Sequence, residues 1–186
     1  MAPRHRLTIR SIDPDPRAAQ LIRGASQLGL PLDDPDQLTV ADIVFVEGDL
    51  SPDHLARLHG FLVDPLLQMG SWTEPSGNGI EVTFLPGVTD SAAAAVLRAA
   101  ERLGVPVTAA ATGRRVEFGP GVGATEATAI VERLVANPVI ERWAVGTIEP
   151  AFVAGGRGSG VAEVIPIAGL ALDELIALGR QRALAL

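Results

Sequence analysis

Leu134-Val135-Ala136-Asn137-Pro138-Val139-Ile140-Glu141-Arg142-Trp143 decides how this chain is read, because the pattern occurs twice. The earlier copy is Leu62-Val63-Asp64-Pro65-Leu66-Leu67-Gln68-Met69-Gly70-Ser71-Trp72. In each, an apolar helix runs into Asn or Asp, a proline blocks its continuation, and an apolar run leads to a tryptophan. The residue before a proline is pushed out of helical geometry, so Asp64 and Asn137 are natural helix stops and a strand is expected after each proline.

The flanking sequence repeats as well. Leu7 to Ile12 alternates as a strand does. Asp15 is placed to cap a helix with Pro16 at its first position, and Ala18, Leu21, Ile22, Ala25 and Leu28 follow at helical spacing before Gly29. Leu38 to Glu47, rich in β-branched residues, predicts a strand. Ser51-Pro52-Asp53 opens a second helix with Leu55, Leu58, Phe61 and Leu62 on one face, and a strand is expected over Leu66–Trp72. After the connector Pro75-Ser76-Gly77-Asn78-Gly79 the order restarts. Ile80 to Leu85 alternates, and Pro86-Gly87-Val88-Thr89-Asp90 turns into a helix carrying Val96, Leu97, Ala100 and Leu103. Thr112 to Phe118 predicts a strand. Thr125 is a candidate cap for a helix with Ala127, Ile130, Val131 and Leu134 inward, and a last strand runs through Trp143 to Ile148. The matched pairs Leu28/Leu103, Pro31/Pro106 and Pro65/Pro138 set a period of about 73–75 residues.

The expected fold is therefore α+β: two tandem β-α-β-α-β units of ferredoxin-like type, packed on one another as a pseudo-dimer because a unit of about 70 residues buries too little surface alone. The units are assigned to residues 1–74 and 80–150. Residues 151–186 add a glycine-rich linker and a C-terminal helix from Leu170 with Leu172, Leu175, Ile176 and Leu178 apolar.

Composition excludes several function classes. At 186 residues and 47% hydrophobic, the chain can bury a core, one built mostly of Ala, Val, Leu and Ile because aromatics are scarce. With no cysteine there is neither a disulfide framework nor a thiolate zinc site, which fits a reducing cytoplasm. A net charge of −7 argues against nucleic acid as partner. All 15 basic residues are arginine, so neither a Schiff-base nor a Walker lysine exists. No apolar run reaches the roughly 18 residues of a membrane span, and no signal peptide is expected at the start.

Few residues suggest chemistry. Gly119-Pro120-Gly121-Val122-Gly123 enters a helix, but its spacing is not that of a dinucleotide loop and a structural turn accounts for it. His54 and His59 are five apart and lie on different faces of one helix, which argues against a metal pair. Trp72 and Trp143 read as packing residues. Arg114-Arg115, after Gly113 at the head of a strand, suits either bidentate binding of a phosphate or a partner's carboxylate, or a solvated strand end. No triad, carboxylate pair or metal cluster emerges, so no catalytic residue, metal or cofactor is assigned to this chain.

Leu85-Pro86-Gly87-Val88-Thr89-Asp90, the strand start Gly113-Arg114-Arg115, and Leu134-Val135-Ala136-Asn137-Pro138-Val139-Ile140 together resemble the PurS family, the small subunit of phosphoribosylformylglycinamidine synthase. The second unit resembles it over its whole length. The first is a more diverged copy, with Asp13-Pro14-Asp15-Pro16 in place of the Pro-Gly turn and Asp64-Pro65 in place of Asn-Pro. The tail from Val164 is similar to the lead-in to a PurL-type synthetase, so the chain resembles a fused tandem small subunit ahead of a synthetase.

The resemblance implies a non-catalytic role in purine biosynthesis. The family bridges a PurL-type synthetase, which carries ATP and magnesium, to a PurQ-type glutaminase that releases ammonia. A bridge that supports ammonia transfer needs apolar walls, since low dielectric disfavours ammonium. Arg114, Arg115, Leu172, Leu175 and Ile176 are the candidate docking residues. The alternative is a regulatory module that binds a small effector at the seam between units.

Overall fold

The computed structural model describes residues 2–30, 32, 37–75, 77–154, 165 and 167–182. Residues 1–155 form one compact unit and residues 156–186 a second.

The first half of the larger unit begins with β1 (Arg4–Ser11), α1 (Pro16–Gln27) and β2 (Leu38–Glu47), followed by α2 (Pro52–Leu62) and β3 (Gln68–Ser71). Each helix starts where a short polar side chain meets a proline. Asp15 accepts a hydrogen bond from Arg17 N at 2.8 Å, and Ser51 Oγ accepts from His54 N at 3.2 Å, so orphan amides of the first turn are satisfied. The second half follows as β4 (Gly79–Phe84), α3 (Ser91–Arg102), β5 (Ala109–Phe118), α4 (Ala124–Ile130) and β6 (Glu141–Val145), and β7 (Val153–Ala154) pairs with the start of β5. The capping carboxylate of α3 is Asp90, which accepts from Ala93 N at 2.8 Å.

Every strand pairing is antiparallel, and the order is β3-β1-β2-β5-β4-β6. The two halves share one sheet. All ten residues of β2 pair with all ten of β5, from Leu38 opposite Phe118 to Glu47 opposite Ala109. The fold is thus α+β, consistent with a ferredoxin-like arrangement of alternating strands and helices.

Side chains of a strand alternate between faces, and here the alternation separates two kinds of interior. Leu38, Val40, Val44 and Val46 of β2 face the helices. Val44 and Val46 pack in a cluster with Leu58 of α2 and Ala93, Val96 and Ala100 of α3. Leu38 and Val40 pack with Ala18 and Ala25 of α1 and Ala127 and Ile130 of α4. Each helix pair draws one member from each half. Trp72 packs against the first cluster and Trp143 against the second. On the opposite face of β2, Ile43 and Phe45 cluster with Ala111 and Phe152, and charged residues of the neighbouring strands flank them.

Three local features depart from the sequence expectation. The strands after Pro65 and Pro138 begin later than expected, because each proline is followed by a turn. Asp64 Oδ1 accepts from Leu66 N at 2.8 Å, and Asn137 Oδ1 accepts from Val139 N at 3.1 Å. The cap of α4 is Gly123 rather than Thr125, with Glu126 Oε2 accepting from Gly123 N. Finally, α4 widens after Ile130 into a π-helical turn, Val131–Val135, closed by Ala136 N donating to Val131 O at 2.8 Å.

In the smaller unit, α5 (Leu172–Arg182) opens with Ala171 N donating to Glu174 Oε2 at 2.8 Å. The expected glycine-rich linker falls largely on residues 155–164, and the expected end of the helix on 183–186; both lie outside the described residues.

Candidate functional site

Two constructions occupy the β2–β5 seam, one on each face of the sheet. On the face away from the helices lies a buried ionic network. Glu81 is fully buried and holds two arginines. Its Oε1 accepts from Arg6 Nη2 at 2.6 Å and from Arg115 Nη1 at 2.8 Å, and its Oε2 accepts from Arg6 Nη1 at 2.9 Å and from Ile148 N at 3.0 Å. Arg115, 1% exposed, also donates to Glu117 Oε1 at 2.9 Å and to the carbonyls of Gly146 and Gly77. Glu117 in turn accepts from Arg10. Two arginines of the first half therefore meet two glutamates of the second. Gly79 is part of this construction, because a Cβ there would stand 2.4 Å from the Arg115 guanidinium.

The Glu117 carboxyl titrates below its ordinary value. Burial alone would raise it, but Arg10 and Arg115 outweigh that cost. Asp15 behaves likewise, its burial outweighed by hydrogen bonds from Arg17.

On the helix side a cleft of about 640 Å³ lies over the same seam. Its rim and floor include Arg17 of α1, Asp42 of β2, Asp90 before α3, Thr112 and Arg114 of β5, and Glu141 of β6, set among apolar residues such as Val40, Val44, Val82 and Val96. Asp90 is buried and accepts from Thr112 N at 2.7 Å and from Thr112 Oγ1 at 3.0 Å. Arg17 bridges Asp15 and Asp42. Arg114 donates Nη2 to Glu141 Oε2 and to Val135 O, both at 2.7 Å.

The neighbouring arginines Arg114 and Arg115 are thus sent to opposite faces by the strand alternation. Arg114 lines the cleft, while Arg115 lies inside the network. Leu172 and Ile176 are exposed on α5 and Leu175 is partly buried. Exposed apolar groups also gather at both outer edges of the sheet. Leu66 (83% exposed), Leu67 and Met69 lie at the β3 edge, and Val139 (79% exposed) and Val145 at the β6 edge. The histidines are used locally. His54 Nδ1 accepts from Ser51 N, and His59 Nε2 lies 3.2 Å from Gly70 O. Among the described residues no group of three His, Asp or Glu could hold a metal ion, and no helix is long and apolar enough to cross a membrane.

The sequence reading passed over Arg6, Asp42, Glu81 and Glu117. A signal was present: Asp42 interrupts Leu38–Glu47 and Glu81 interrupts Ile80–Leu85, both otherwise suited to burial. A charge inside such a strand demands a partner.

The sequence model of the PurS family, described as phosphoribosylformylglycinamidine (FGAM) synthase, matches residues 79–149, which span β4 to the end of the second half. No curated protein matches the chain. Residues 79–149 are therefore similar to the PurS family, a likeness that covers the second half of the sheet and not the first.

Proposed function

We propose that the unit spanning residues 1–155 is a non-catalytic PurS-like adaptor of FGAM synthase, acting in the cytoplasm to bridge a PurL-type synthetase and a PurQ-type glutaminase and to support transfer of ammonia between them. In this reading the first half is a diverged tandem copy of the PurS domain, and the two copies form a pseudo-dimer within one chain. ATP and magnesium belong to the synthetase partner.

The observation that carries the reading is the arrangement around the matched domain. The first half joins it through a complete ten-residue antiparallel pairing, and the strand order β3-β1-β2 is mirrored by β6-β4-β5. The outer edges then become equivalent docking positions, each a strand paired on one side only and set beside exposed apolar groups that follow a proline turn. In the smaller unit, the exposed Leu172 and Ile176 suit α5 to contact a partner.

The test is reconstitution. The purified chain is mixed with synthetase and glutaminase, and complex formation is followed by size-exclusion chromatography alongside glutamine-dependent FGAM synthesis. The expected result is a ternary complex and glutamine-dependent turnover, both weakened when residues 161–186 are removed. Failure of the chain to bind either enzyme overturns the reading. Turnover by the chain alone overturns its non-catalytic character.

A further inference from the structure

We propose that the cleft over the β2–β5 seam is a binding site for an apolar α-amino acid, with its ammonium group on Asp42 and its carboxylate on Arg114. Asp42 and Arg114 are direct cross-strand partners on the helix-facing side of the sheet. Opposite charges so placed ordinarily pair with each other. Here each is bonded elsewhere. Asp42 Oδ1 accepts from Arg17 Nη1 at 2.7 Å, and Arg114 engages Glu141 and Val135 through Nη2. Both side chains stay partly solvated, Asp42 at 44% and Arg114 at 36% exposed.

The cleft thus displays a carboxylate and a guanidinium about 5 Å apart at the backbone, the spacing of paired residues on neighbouring strands. A zwitterion can add its ammonium group to Asp42 Oδ2 and its carboxylate to Arg114 Nη1, neither of which has a partner among the described residues, while the contacts to Arg17 and Glu141 stay in place. The surrounding Leu21, Val82, Val96 and Leu134 ask for an apolar side chain. The volume of about 640 Å³ is ample for one such ligand. Phosphorylated ligands are disfavoured, because Arg17 and Arg114 are opposed by Asp42, Asp90 and Glu141 around the same cavity. The site goes beyond the adaptor role and requires neither partner enzyme, so each stands or falls separately.

Calorimetric titration of the full chain tests it with L-leucine, L-isoleucine, L-valine, L-methionine and L-phenylalanine, and with two leucine analogues that each lack one charge, isoamylamine and 4-methylpentanoate. Saturable binding of at least one amino acid is expected. For L-leucine, each analogue should bind at least about tenfold more weakly, the loss of one charge-assisted contact. Asp42→Asn should abolish the advantage over 4-methylpentanoate, and Arg114→Gln the advantage over isoamylamine. No saturable binding by any of the five, equal binding of leucine and both analogues, or undiminished leucine binding by a folded Asp42→Asn protein overturns the proposal. The analogue series on the unaltered chain decides the matter even if a variant fails to fold.

Discussion

Replacing Glu81 by alanine should cost this protein as much stability as truncating a large buried apolar side chain. Glu81 has no exposed surface, and its carboxylate receives four hydrogen bonds, three from arginines and one from Ile148 N. Removing it leaves Arg6 and Arg115, 6% and 1% exposed, with a single carboxylate, Glu117, still in contact with Arg115. Breaking a buried pair by deleting one partner costs about 3–5 kcal/mol, because the orphaned charge keeps its desolvation penalty. Against a total of about 5–15 kcal/mol for a domain, that is a large share. For a chain of this size it corresponds to a fall in Tm of about 6–20 °C.

The assay is urea unfolding followed by tryptophan fluorescence, with Trp72 reporting from the cluster of α2 and α3 and Trp143 from that of α1 and α4. Single Trp→Phe backgrounds then report each cluster separately. Since Glu81 of the second half holds Arg6 of the first, both tryptophans should register the same loss at the same urea concentration. The combined Arg6→Met, Glu81→Leu, Arg115→Met variant should be more stable than Glu81→Ala alone, because replacing all the charges leaves none unpaired. A loss below about 1 kcal/mol for Glu81→Ala, the size expected of an exposed pair, would refute the reasoning.

Gly79→Ala should cost about 1–3 kcal/mol of stability by urea unfolding, since its Cβ would meet an Arg115 guanidinium that several hydrogen bonds hold in place. Glu117 has a folded-state pKa below its ordinary value of 4.5, so its contribution is complete above that value and is lost as pH falls through the lowered one. Melting curves between neutral and acidic pH should therefore show a shallower acid decline for Glu117→Gln than for the unaltered chain. Leu66→Asp and Val139→Asp, at exposed positions, should leave Tm within the few degrees that correspond to about 0.5 kcal/mol while weakening capture of synthetase or glutaminase in the reconstitution.

The order of elements was legible because most helices begin at a turn or a short polar residue beside a proline. Asp15-Pro16 and Ser51-Pro52 open the first two helices and the turn ending at Asp90 opens the third, while the duplicated proline junctions mark where the second and fourth helices stop. The turn after each proline was not legible from the proline alone. It depends on the preceding Asp or Asn accepting an amide two residues on, which competes with immediate entry into the strand. The cleft and the network were hidden for a different reason. Arg114 and Arg115 are adjacent in sequence, yet strand alternation puts them on opposite faces, and their ionic partners from other strands are Glu141 of β6 for one and Glu81 of β4 for the other, with Glu117 two residues along β5 as a second partner of Arg115. Such pairs are set by sheet order, and nothing local in the chain states that β2 meets β5.

That meeting raises a problem of register which the charges solve. Ala109-Ala110-Ala111 on β5 faces Val46, Glu47 and Phe45 on β2, and alanine offers little shape to fix a pairing. A slip by one residue is forbidden, since it would turn Val116 and Phe118 to the wrong face. A slip by two keeps every apolar residue on its proper side, so hydrophobic patterning alone does not exclude it. It would, however, carry Glu117 away from Arg10 and Glu81 away from Arg6 by about 7 Å, two residues of strand rise. Arg10 reaches Glu117 of β5 from β1 across β2, and Arg6 meets Glu81 of β4 across both β2 and β5, with the Arg6 guanidinium over the Phe45 ring at 5.5 Å. A displaced sheet would therefore bury unpaired charges at a cost no regained apolar contact offsets. The network thus selects a single alignment of the two halves, and that alignment is what sets Asp42 opposite Arg114 on the other face.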